Sequence, residues 1–128
     1  MRTSVIISCL LTIILAATAW ATSLPFGVSV GGQAAEVVNE IYAEVPAPVS
    51  ADAAIVCDVA EDMIIINVFP SDAQGNVDSS AQPAIIMIQG GNTGALNQTM
   101  DGQALTPGIY LMNVVAGGAT SRVLFTVE

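Results

Sequence analysis

Two glycines near the C-terminus constrain this chain more than any other feature. Gly117-Gly118 divides the stretch LTPGIYLMNVVAGGATSRVLFTV, Leu105 to Val127, into two β-rich runs, and Pro107-Gly108 leads into the first of them. A tight primed hairpin turn needs positive φ at both central positions, which glycine adopts without steric cost. Pairing Ala116 with Ala119 then sets the whole register, because the side-chain period of a strand is two. Tyr110 falls opposite Phe125 and Met112 opposite Val123 on one face. Ile109, Leu111 and Asn113 fall opposite Thr126, Leu124 and Arg122 on the other.

The rest of the C-terminal region reads the same way. Ala53–Val59 and Asp62–Phe69 are β-rich runs, expected to join through a tight turn near Ala60-Glu61. Pro70–Gln82 is rich in Ser, Asp, Gly and Asn and reads as a loop. Ala84–Gln89 is a short apolar strand, Gly90–Gly94 a turn, and Ala95–Met100 a weak strand closed by Asp101-Gly102. This pattern predicts an all-β fold, an antiparallel Ig-like β-sandwich of six to seven short strands over residues 51–128. Residues 22–50 are expected to form an N-terminal lead-in and a stiff connection at Pro46-Ala47-Pro48.

Within that lead-in, Ala34–Val45 fits two periodicities. As a helix it presents Ala34, Val37, Val38, Ile41 and Val45 as one stripe. As a strand, Glu40–Val45 turns Ile41, Ala43 and Val45 inward. The like charges of Glu36, Glu40 and Glu44 at i,i+4 penalise the helix. The stripe is nevertheless longer than the alternation, so one short N-terminal helix reaching about Ile41 is the favoured expectation.

The first 21 residues look like a secretory signal peptide. Arg2 precedes an apolar run from Val5 to Ala19, and Ala19-Trp20-Ala21 is an A-x-A cleavage site. The run is short for a membrane span, which needs about 20 residues. Export to the periplasm, cell surface or medium is therefore expected, with no membrane attachment after cleavage. Cleavage removes Arg2 and leaves Arg122 as the only base against eleven carboxylate side chains, a side-chain charge of −10. With no lysine and no histidine, the chain cannot neutralise phosphates, which excludes nucleic acid as a partner class. Anionic lipid is excluded by the same physics. Cys57 is the one cysteine left, so no intramolecular disulfide can form. Period 2 places it with Ala53, Ile55 and Val59 on one face, where it reads as a small core side chain.

Candidate chemistry is thin. An enzyme lacking histidine and lysine would need a carboxylate pair or an unassisted hydroxyl, and the expectation is no enzyme. Asp58, Glu61 and Asp62 read as a solvated turn. No cofactor is expected. Asp72, Asn76 and Asp78 are the candidate metal ligands, oxygen donors spaced along one loop that calcium could use, although the loop departs from the calcium-loop pattern in its early Gly75 and its lack of a distal Glu. Asn97-Gln98-Thr99 fits a glycosylation sequon.

Several strands are apolar on both faces, whereas a two-layer sandwich carries polar outward positions. Something must cover Ile109, Leu111 and Leu124, which makes them the candidate interaction surface. The Ala34–Val45 stripe, a protein partner, or a second copy of the chain could do so. Charged residues make up only 10% of the chain and no strand edge has a lysine to discourage pairing.

Leu105-x-Pro-Gly-x-Tyr110 suggests a tyrosine corner, in which the Tyr110 hydroxyl returns to an upstream carbonyl. The segment GQALTPGIYLMNVVAGGATSRVLFTV resembles the closing strands of the C-terminal sorting domains used by the Por (type nine) secretion pathway. Val68-Phe69-Pro70-Ser71-Asp72-Ala73 is similar to the V-Y-P-N-P-A opening of those domains. Residues Ala53–Val127 also resemble small secreted Ig-like proteins of gut Bacteroidetes that share the L-x-P-G-x-Y ending. The resemblance implies an Ig-like sandwich exported by a Gram-negative bacterium and carries no functional residues over. The functional expectation is a secreted, non-catalytic module that acts by protein–protein interaction or self-assembly at the cell envelope. The alternative is a calcium-dependent ligand (glycan) binding domain or a small carboxylate-based enzyme.

Overall fold

The computed structural model describes residues 23–128; the leader expected at residues 1–21 lies outside the described residues. Eight strands follow one another: β1 (Val28–Val30), β2 (Gln33–Ala34), β3 (Glu36–Val37), β4 (Ala43–Glu44), β5 (Ala54–Pro70), β6 (Ala84–Ala95), β7 (Gly108–Ala116) and β8 (Ala119–Val127). They form one sheet in the order β2-β1-β5-β7-β8-β4-β3, with β6 on the other edge of β5. The fold is all-β and sandwich-like. The sheet curls nearly closed, so that side chains from β1, β4, β5, β6, β7 and β8 share a single core.

The β7–β8 hairpin adopts the register that the glycine pair dictates. Ala116 pairs with Ala119, Met112 with Val123 and Tyr110 with Phe125, and Gly117 and Gly118 have φ of 57° and 83°. Tyr110 and Phe125 stack with ring centroids 5.8 Å apart. The Tyr110 hydroxyl donates to the Thr106 carbonyl at 2.6 Å, completing the expected corner. Phe125, Met112, Val114 and Val123 are fully buried on the inner face with Ile55, Ile64, Ile66, Ile86 and Leu96.

Two expected turns are corrected. The residues around Ala60-Glu61 and Gly90–Gly94 do not reverse the chain; they lie inside the long strands β5 and β6, which pair along their lengths. The irregular stretches face each other. Val56 pairs with Thr93 and Glu61 with Gly91, so the four residues Cys57–Ala60 oppose Asn92 alone. Asn92 Nδ2 fills part of the gap by donating to the Cys57 carbonyl at 3.0 Å. Such a bulge bends the ribbon and lets one strand serve both layers. It also shifts the phase of burial: Ile55 and Cys57 face the core before it, Ile64, Ile66 and Val68 after it. Of Ala95–Met100, expected as a weak strand, Ala95 ends β6 and pairs with Ala54, and the residues after it form a turn that touches the sheet through the Ile86–Thr99 bridge.

The expected helix over Ala34–Ile41 is also corrected. These residues form β2, β3 and a turn. Asn39 Oδ1 accepts the N–H groups of Ile41 and Tyr42 at 2.8 and 3.0 Å, a local bond that replaces helical bonding there. The like-charged Glu series and the β-branched Val37-Val38 act in the same direction. Residues expected as a lead-in thus enter the same core through Val28, Val30, Ala35, Ala43, Val45 and Val49. β4 runs parallel to β8, and the isolated Val49–Val127 bridge continues that parallel contact; the other strand pairs among the described residues are antiparallel. Beyond it the chain stays on the edge of β8, with Val45 N bonded to Leu124 O and Val49 N to Thr126 O, both at 2.9 Å.

Candidate functional site

The outer face of β6, β5, β7 and β8 is the surface that the two-sided apolar strands create, and it divides into two halves. In the first, Leu111 and Leu124 are 4% and 2% exposed, and Ile109 is half-buried against them. Tyr42 covers this cluster and is itself buried. The expected interaction surface at Ile109, Leu111 and Leu124 is therefore corrected: the N-terminal segment occupies it. The strand alternation in Glu40–Val45 explains why. Ala43 and Val45 turn to the main core, so Tyr42 turns the other way, onto the outer face of β8.

The loop after β5 closes the cover from above. Gly75 has φ of +80°, and a Cβ there would lie 2.8–2.9 Å from two Tyr42 ring carbons. Only glycine lets the backbone lie this close to the ring. Asp72 holds the loop in this shape. Its Oδ1 accepts the backbone N–H groups of Gln74 and Asn76, each at 2.9 Å, and its Oδ2 accepts Asn76 Nδ2 at 3.0 Å. These bonds, the Asn76 side chain first, hold the Asp72 carboxyl below its usual value. Asp78 is lowered in the same way by Ser80.

Asp72 is thus bonded to Asn76 and spends both oxygens on its own loop, while the Asp78 carboxylate is bonded to Ser80. Among the described residues no group of three or more Asp, Glu, His or Cys side chains is placed to hold a metal ion. Millimolar calcium is expected to leave the melting temperature unchanged, since a ligand bound only by the folded state raises it. A rise that disappears in Asp72→Asn would place calcium on this loop.

The second half of the outer face is open. Met63 and Ile65 of β5 are 42% and 36% exposed, flanked by half-buried Ile85 and Met87 of β6 and Val115 of β7. From Met87 to Ala95, β6 pairs with β5 on one edge and with no described strand on the other. No residue of β6 is charged and none is proline. These are the features with which edge strands ordinarily resist pairing.

Two other candidates are placed in structural roles. Cys57 is fully buried, and burial pushes its thiol up to about 11, which keeps it protonated at neutral pH. Thr99 of the glycosylation sequon is buried, and its hydroxyl donates to the Gln103 carbonyl at 2.8 Å. Sequence reasoning missed Tyr42 and the β6 edge. The absence of charge from Ala84 to Ala95 was the available signal for the edge, masked because Gly90–Gly94 reads as a turn.

Comparison with protein-family models, with curated proteins and with solved structures gives no match.

Proposed function

We propose that this chain is a secreted, non-catalytic Ig-like module that acts through its surface, by protein–protein contact or self-assembly at the cell envelope. One observation carries the reading: an uncharged, proline-free edge strand, β6, adjoins an apolar sheet face at Met63, Ile65 and Met87. Such edges and faces pair with other chains unless they are blunted. The side-chain inventory agrees, since Arg122 is the only cation from residue 23 onward and histidine is absent. Acid–base catalysis would fall to carboxylates alone.

From residue 23 onward the side chains carry a net charge of −10, which gives the chain long-range attraction to basic partners and repulsion from its own kind. Physiological salt reduces both, because screening acts over about 8 Å. Short-range apolar contact then decides association. Light scattering on the purified protein, alone and mixed with extract of the producing cell's envelope, tests the reading. An oligomer, or a complex of defined stoichiometry, is expected. A chain that stays monomeric at high concentration and enters no complex would end it.

A further inference from the structure

The open half of the outer face has one cation and one carboxylate on opposite sides of its centre. The β-ladder places Asn67, Asn113 and Arg122 in one row across β5, β7 and β8. Glu61 lies three outward positions back along β5 from Asn67, on the same face as Met63 and Ile65. Its carboxylate rests against Gly117, where a Cβ would collide with it. At about 3.4 Å per residue and about 4.8 Å between strands, Arg122 and Glu61 stand about 20 Å apart along the strands and about 10 Å across them. The midpoint of that line falls beside Val115 and Ile65, within the exposed apolar patch.

One more observation marks this face as incomplete. Arg122 is exposed and forms no ion pair among the described residues, although every other charged side chain there is a carboxylate.

Building on the self-assembly reading above, we propose that this face packs against the same face of a second copy about a two-fold axis that lies in the interface beside Val115. Arg122 of each copy then meets Glu61 of the partner copy. Two-fold contacts are isologous, so any opposite pair on one face is answered twice. What distinguishes this pair is that the axis exchanging its members runs through Ile65 and Val115 rather than off the patch. Twisted sheets stacked face to face, about 10 Å apart, bring such side chains into contact. The two ion pairs also offset part of the repulsion between two acidic chains. The apolar centre consists of a few side chains only, so a weak dimer in the micromolar range is expected.

Sedimentation velocity across about 5–200 μM on the whole protein tests the pairing, with four variants beside the wild type. Ile65→Asp is expected to abolish the dimer. Arg122→Glu and Glu61→Arg are each expected to weaken it at least tenfold, and the double exchange to restore it to within about threefold. All three positions are exposed, so circular dichroism should show an unchanged fold in each variant. A wild type that is monomeric at 200 μM overturns the pairing; if it still enters a complex with another protein, the interaction reading stands. A dimer indifferent to Ile65→Asp, or a double exchange as weak as the single variants, overturns the pairing while self-assembly stands.

Discussion

Phe125→Ala is expected to lower the unfolding free energy by about 3–5 kcal/mol, the range for removing a large aromatic from a core. Phe125 is 1% exposed, stacks on Tyr110 and lies on β8, between the β7 hairpin partner and the parallel β4 segment. Its loss leaves a cavity that the surrounding ladder cannot easily close, because Tyr110 is tied by its hydroxyl to Thr106. For a domain of this size the melting temperature should fall by more than about 12 °C, at about 4–8 °C per kcal/mol. Urea denaturation followed by circular dichroism measures it. A loss under about 1 kcal/mol would show that Phe125 is not central to the core.

Tyr42→Ala should have a different signature. Its ring covers Leu111 and Leu124 in a cluster separate from the main core, so the fold should survive a loss of about 2–4 kcal/mol. The uncovered leucines should bind an apolar dye such as ANS in the native state. Gly75→Val attacks the same cover from the loop side, through backbone strain and contact with the ring. Acid should loosen it as well. Asp72 has a lowered folded value, so its contribution is complete above the unfolded value of 3.8 and is lost as pH falls through the folded one. Dye binding by the wild type should therefore rise below about pH 4 and stay low above it. If Tyr42→Ala binds no dye while remaining folded, some other group covers the two leucines.

The two variants separate what is local in this protein from what is not. The β7–β8 hairpin was readable residue by residue, because its turn type, register and facing pairs all follow from Gly117-Gly118 and a period of two. The same reasoning broke down in β5 and β6. There Gly90–Gly94 and Ala60-Glu61 have ordinary turn composition, and only their pairing with each other turns two apparent loops into one bent ribbon. The Ala34–Val45 segment failed for a related reason. Its helical stripe was real, but the Asn39 side-chain bonds and the open edge of β8 offered better partners than helical bonding.

Among the candidate site residues, the sequence correctly marked the outer positions Ile109, Leu111 and Leu124 as needing a cover. It could not tell that Tyr42 supplies one, since nothing local links residue 42 to residues 111 and 124. By itself, then, the sequence determined the all-β class, the terminal hairpin and the strongly acidic, cation-poor surface, because these depend on local φ preferences, alternation and composition. The tertiary structure alone decided which apolar face is covered and which, at Met63, Ile65 and Met87, stays open. That outcome depends on long-range strand pairing, where distant segments compete for the same edges and no short stretch carries the answer.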